Sequence, residues 1–173
     1  YSDSGISGDK TEASKGGADY WVVKLDAAGA IQWQNTIGGN GYDELYSLQQ
    51  TTDGGYILGG SSSSDISGDK TELCIGTGSD YWIVKIDSFG NILWQNAIGG
   101  YLNDVLVSIQ QTSDGGYFLG GSSWPAISGG TQTENSIGQK DYWVVKTDAT
   151  GNLQWQNSIG GNDNDELYYS EET

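Results

Sequence analysis

The sequence lacks several residue types on which common functional sites depend. It contains no histidine, no arginine and no methionine, and only one cysteine and one proline. Without histidine the chain cannot build a Ser-His-Asp or Cys-His catalytic site, or a His-ligated zinc or haem centre. The lone Cys74 allows neither an internal disulfide nor a cysteine-based metal cluster. Carboxylates, hydroxyls, amides and aromatic rings supply the remaining chemistry.

The charge and the aromatic content limit the protein classes further. Seven lysines against 23 acidic residues give a net charge of −16, which repels nucleic-acid phosphate, so we predict no nucleic-acid partner. Seven Trp, eleven Tyr and two Phe argue against disorder despite 28 glycines. No apolar run approaches the ~18 residues of a membrane span. The acidic, cysteine-poor composition is typical of bacterial secreted proteins, which predicts an extracellular or cell-surface location.

A repeat of 61 residues is the strongest signal in the sequence. Tyr20–Lys24 recurs as Tyr81–Lys85 and as Tyr142–Lys146, and Asp53–Tyr56 recurs as Asp114–Tyr117. We divide this single array into the end of a preceding repeat (1–19), repeat 1 (20–80), repeat 2 (81–141) and a partial repeat 3 (142–173). The ragged phase and the absence of an initiator methionine predict a processed chain or a piece of a longer array.

Each repeat is predicted to contain four short strands and almost no helix, because β-branched and aromatic runs are bounded by turn residues. In repeat 1 the predicted strands are Tyr20–Leu25, Ile31–Ile37, Leu45–Thr51 and Tyr56–Ser61. The last repeat ends in a predicted third strand at 166–169. Asp26–Gly29 between the first two strands has the pattern of a type I turn.

The alternation of side chains along a strand predicts how the sheets pack. In the first strand Trp21 and Val23 point to one face and Tyr20 and Val22 to the other, so both faces are apolar and both should be covered. A four-stranded antiparallel sheet from each repeat, covered on both sides, is what a β-propeller blade requires. A solenoid or a three-sheet prism is the alternative.

Several motifs resemble a known repeat type. Asp80–Asp87, Gly90–Trp94, Ile98–Gly100 and Ile109–Ser122 are similar to the SBBP-type β-propeller repeats, and more loosely to the delta-60 repeats, of large bacterial surface and secreted proteins. The resemblance implies a propeller of about seven blades. About three copies are fewer than the roughly four to eight blades that close a ring, so we expect a partial or a multi-chain propeller.

Recurring carboxylates are the candidate metal ligands. Calcium binds clustered carboxylate and carbonyl oxygens, so we predict a calcium site in each repeat, with Asp43, Asp104, Asp163 and Asp165 as ligands. The alternative is that these side chains cap strand ends or form a solvated rim. A glycosidase acid/base pair is a further alternative, although a repeated residue favours a structural role over a catalytic one.

One lysine recurs at an equivalent position of each repeat, as Lys24, Lys85 and Lys146. Such a lysine either neutralises a carboxylate within or between blades or lays its apolar stem along a sheet edge. The sequence leaves both interpretations open.

The long connections, Ser61–Ser79 and Ser122–Lys140, are the parts that differ most between repeats, and we expect them on one rim as a ligand-contact face. The candidate ligand-binding residues there are Trp124, Asp65, Asp69, Glu72 and Glu134. A passive spacer is the alternative interpretation.

These observations predict an extracellular, non-enzymatic binding or adhesion segment whose partner is a glycan or a surface protein. The first alternative is a structural subunit of a surface fibre or sheath that self-associates through blade edges. The second is a carbohydrate-active enzyme that uses an Asp/Glu pair.

Overall fold

The computed structural model describes residues 1–124 and 129–171, and within these ranges the chain is all-β, with ten strands and no helix. The strands are β1 (Tyr20–Leu25), β2 (Ile31–Ile37), β3 (Asp43–Gln50), β4 (Tyr56–Ser62), β5 (Asp80–Ile86), β6 (Ile92–Ile98), β7 (Asp104–Gln111), β8 (Tyr117–Ser123), β9 (Asp141–Thr147) and β10 (Leu153–Ile159). The predicted strands of repeat 1 are confirmed to within two residues at each end.

The strands form three antiparallel sheets. Sheet 1 contains β1 and β2, sheet 2 has the order β3-β4-β5-β6, and sheet 3 has the order β7-β8-β9-β10. Tight turns join β1 to β2 as predicted. Asp26 Oδ1 accepts hydrogen bonds from the N–H groups of Ala28 (2.8 Å) and Ala30 (2.9 Å), and Gly29 adopts a φ of +82° that other residues rarely reach.

The assignment of strands to sheets differs from the sequence-based prediction of one sheet per repeat. Sheets 2 and 3 each combine the last two strands of one repeat with the first two of the next. The long connection from 63 to 79 returns the chain antiparallel beside the strand it left, so that Ser62 pairs with Asp80 and Tyr56 with Ile86. The short connection from 38 to 42 instead carries the chain from sheet 1 to sheet 2.

Sheet 2 is covered on both faces, as predicted for the first strand of each repeat, whereas in β1 the face that carries Trp21 and Val23 is only partly buried. Tyr81 and Ile83 of β5 belong to a buried cluster shared with sheet 3. Trp82 and Val84 of the same strand belong to a second cluster shared with sheet 1. All seven residues of β5 are buried as a result. The core therefore consists of two apolar layers, one on each side of sheet 2.

The predicted third strand at 166–169 is wrong, because the structure assigns no strand there. The segment nevertheless follows the path of such a strand: Ser170 N–H donates to Ser108 Oγ (3.3 Å), as Ile109 N–H donates to Ser47 Oγ (3.2 Å) one repeat earlier. β3 and β7 pair with β4 and β8 respectively, and no described residue offers this segment such a partner.

Candidate functional site

The two ends of the sheets differ in the length of the connections they carry. Because the strands are antiparallel, the turns 26–30, 51–55, 87–91, 112–116 and 148–152 lie at one end, which we call the turn end. The connections 38–42, 63–79 and 99–103, the described part of 124–140, and residues 2–19 lie at the opposite end, which we call the loop end. Long connections gather on one face, which is the arrangement of a binding surface on a rigid scaffold.

Large apolar side chains are exposed at the loop end. Each is more than half exposed, and they come from four different connections: Tyr42, Ile66, Leu73, Tyr101 and Ile137. Exposed apolar groups clustered among polar residues are typical of interaction surfaces. None of these residues was predicted from the sequence, although Ile66 belongs to an Ile-Ser-Gly motif that recurs in the long connections.

The acidic candidates of the 63–79 connection lie at the loop end, but in different settings. Asp65 is exposed, and its backbone N–H donates to Asn40 Oδ1 (3.2 Å). Asp69 is half-buried, forms an ion pair with Lys15 and accepts a hydrogen bond from Gly38 N–H (3.1 Å). Asp65 is therefore accessible to a ligand, whereas Asp69 joins three segments of the loop end.

Glu72 and Glu134 make the same contact in successive repeats. Glu72 Oε2 accepts a hydrogen bond from Ala97 N–H of β6 (2.6 Å), and Glu134 Oε2 accepts one from Ser158 N–H of β10 (2.9 Å). Glu12 binds Thr36 N–H of β2 in the same way (2.7 Å). These glutamates cap an otherwise unpaired strand edge and fasten the long connection to it.

Trp124 is half-buried at the start of its connection, and the Lys140 ammonium lies 4.4 Å from the centroid of its ring. Lys140 also pairs with Glu166 (2.9 Å). This cation–π contact holds the indole against the end of the connection. The neighbouring Pro125 lies outside the described residues.

The predicted calcium ligands of the successive repeats lie in separate turns. Asp43 and Asp104 are buried in different sheets, and each accepts the N–H of a connection glycine, Gly39 (2.7 Å) and Gly100 (2.8 Å). Asp165 does the same with Gly161 (2.7 Å), and Asp163 is exposed. Across the described parts of the chain, no three acidic, histidine or cysteine side chains are grouped so as to hold a metal. The observed contacts are those of turn caps.

A second buried aspartate lies near Asp104. Asp80 is fully buried, accepts the N–H of Ile75 (2.7 Å) through Oδ2, and has no partner for Oδ1 among the described residues. Burial raises the pKa of Asp80 to about 6, and burial together with the charge of Asp80 raises the pKa of Asp104 to about 7. The ammonium of buried Lys70 opposes the shift at Asp80.

The ion-pair interpretation of the repeated lysine is confirmed at two of its three positions. Lys85 Nζ lies 2.9 Å from a carboxylate oxygen of Asp53, and Lys146 Nζ lies 2.9 Å from one of Asp114. Each pair joins the β3–β4 or β7–β8 turn to a strand of the same sheet. Lys24 instead lies 5.8 Å from the ring centroid of Tyr56.

An open groove of about 370 Å³ runs across β3, β7 and residues 169–170. Its walls carry aromatic, aliphatic, serine and glutamine side chains, including Tyr46, Leu48, Gln49 and Tyr169. None of its lining residues is acidic, so this groove does not hold the carboxylate pair that glycoside hydrolysis requires.

Comparisons with known proteins found no protein-family model and no curated protein that matches the chain. No helix within the described residues is long and apolar enough to cross a membrane.

Proposed function

We propose that this chain is part of an extracellular, non-enzymatic binding or adhesion module, built from β-propeller blades of the SBBP or delta-60 type. The blade interpretation is supported by four-stranded antiparallel sheets that pack face to face, with sheet 2 covered on both sides. The ligand, a glycan or a surface protein, contacts the loop end.

The observation that carries this proposal is the sorting of connections between the two ends. Within the described residues, five-residue turns make up the turn end, whereas the loop end carries the two long connections as well as the five-residue connections 38–42 and 99–103, and it exposes apolar side chains from all four. Proteins commonly place recognition in loops held by a rigid scaffold, because such loops vary without disturbing the core. Asp65 and Trp124 lie on this surface, and they are the predicted ligand residues we retain.

Binding of the 173-residue chain to glycan and cell-surface arrays tests the proposal. Tyr42→Ala, Ile66→Ala and Tyr101→Ala should each reduce binding, whereas Phe89→Ala, which removes an exposed aromatic ring from the turn end, should not. Equal losses for Phe89→Ala and the loop-end variants would contradict the proposal, as would binding that none of the loop-end variants reduces.

A structural subunit of a surface fibre or sheath is the second candidate function. It is favoured by a difference in exposure between equivalent tryptophans: Trp33 and Trp94 are partly buried between sheets, whereas Trp155 of sheet 3 is 49% exposed. Self-association that buries Trp155 would explain why its indole is exposed at a position where the equivalent tryptophans pack against a neighbouring sheet.

A further inference from the structure

Neighbouring sheets are joined by the same hydrogen bonds at each junction. Tyr20 Oη of sheet 1 donates to the Trp82 carbonyl of sheet 2 (2.9 Å), and Tyr81 Oη of sheet 2 donates to the Trp143 carbonyl of sheet 3 (2.9 Å). The two tyrosines are fully buried, and their rings lie 4.9 Å and 4.7 Å from those of the two tryptophans. The same specific tyrosine–tryptophan contact therefore occurs at both junctions between sheets.

Asparagine and tryptophan side chains also donate hydrogen bonds across the junctions. Asn35 Nδ2 of β2 donates to the Gly90 carbonyl, and Asn96 Nδ2 of β6 donates to the Gly151 carbonyl (2.7 Å). At the first junction Trp33 Nε1 also donates to the Ser88 carbonyl (3.1 Å). The donors lie on one sheet, and the acceptors lie on the strand and turn of the next.

Sheet 3 repeats the donor set, and no acceptor is recorded for it in the described part of the chain. The equivalent residues, 61 positions beyond the second set, are Tyr142, Asn157 and Trp155, and the last two are exposed. Sheet 1 repeats the acceptor set, because the carbonyls of Trp21, Ala27 and Gly29 stand 61 positions before those of Trp82, Ser88 and Gly90. The turn that holds Ala27 and Gly29 is exposed.

We propose that sheet 3 of one copy docks on sheet 1 of a second copy, with Tyr142, Asn157 and Trp155 donating to the carbonyls of Trp21, Gly29 and Ala27. The second copy is the occupant because its sheet 1 carries the acceptor set that the two existing junctions use. The two faces differ, so the contact is heterologous and leads to rings or open filaments. This inference rests on the second candidate function and is independent of ligand binding at the loop end.

Sedimentation velocity of the 173-residue chain over a wide concentration range tests the docking. The wild-type chain should form species larger than a monomer as its concentration rises. Tyr142→Phe removes one hydrogen bond and should weaken association about fivefold to tenfold. Asn157→Asp replaces a donor by a carboxylate facing a carbonyl and should abolish association, whereas Asn157→Ala should weaken it to the same degree as Tyr142→Phe.

Leu93→Gln is the control, because Leu93 is exposed on the outer strand of sheet 2, away from both docking faces. It should associate like the wild type, and circular dichroism melts verify that each variant is folded. A wild-type chain that stays monomeric at every concentration would overturn the proposal. So would association that Tyr142→Phe and Asn157→Asp leave unchanged, or that Leu93→Gln reduces equally. Loss of array binding in the loop-end variants would leave this result unaffected.

Discussion

The buried pair Asp80 and Asp104 should make the protein more stable in mild acid than in mild base. Both carboxyls are almost fully buried, and burial raises their pKa values to about 6 and about 7 from an ordinary 3.8. A carboxyl whose pKa is raised in the folded state binds protons more tightly there than in the unfolded chain. Its protonation therefore contributes stability that is fully present below the unfolded pKa and is lost as the pH rises through about 6 to 7.

The size of the effect follows from these pKa values. One carboxyl with a folded pKa of about 7 and an unfolded pKa of 3.8 raises the unfolding free energy of the protein by about 3 kcal/mol when the pH is lowered from 8 to 5, at about 1.4 kcal/mol per pKa unit. For a chain of this length that corresponds to a melting midpoint about 6–12 °C higher at pH 5. The lowered pKa values of Asp53 and Asp148, both about 2, oppose this gain only near and below pH 4.

Thermal melts at pH 8 and pH 5 measure the effect. Asp104→Asn removes the buried charge and keeps an oxygen to accept the Gly100 N–H, so its midpoint at pH 8 should exceed that of the wild type and change less with pH. Asp65→Asn removes one exposed charge and is the matched control for net charge. The reasoning would be refuted if the wild-type melting midpoint were lower at pH 5 than at pH 8. It would also be refuted if the midpoints of Asp104→Asn and Asp65→Asn changed equally between the two pH values.

Three further outcomes are expected, two from the packing of the sheets and one from the contacts of the predicted calcium ligands. Tyr81→Phe leaves the buried Trp143 carbonyl without its side-chain donor and should lower the unfolding free energy by about 1–2 kcal/mol in urea titrations; no change would show that the bond contributes nothing. Gly60→Ala places a methyl group against the Glu44 carbonyl oxygen and should cost about 1–3 kcal/mol or more in the same titrations, whereas Gly5→Ala enters open space and should be nearly neutral. Chelator should leave the melting midpoint unchanged, because the predicted calcium ligands are dispersed as turn caps; a lower midpoint with chelator would restore the calcium prediction.

The repeat, the strands and the tight turns were predictable because they depend on local residue chemistry. The 61-residue period marks each strand, and Asp26 with Gly29 specifies a turn within five residues of chain. The two apolar faces of the first strand of the repeat predicted cover on both sides, which β5 has, whereas Trp21 and Val23 on one face of β1 stay partly exposed. Each of these properties is encoded over a span shorter than one repeat.

The roles of the acidic residues were less predictable, because they depend on the partner each carboxylate meets. Glu72 and Glu134 were predicted to contact a ligand, yet each accepts the N–H of a strand more than 20 residues away in sequence. Lys85 was compatible with two interpretations until the fold placed Asp53 beside it. The exposed apolar residues of the loop end were missed, since an isolated Ile66 or Tyr42 carries no periodic signal.

By itself the sequence determined a repeating, all-β chain with two-sided apolar strands, because strand propensity, alternation and turn chemistry act between near neighbours. Only the tertiary structure decided which strands share a sheet, since β4 pairs with β5 across the long connection, whereas β2 does not pair with β3 of its own repeat. It also decided which carboxylates are buried, paired or free, because desolvation and hydrogen bonding arise from residues that the fold brings together over long distances.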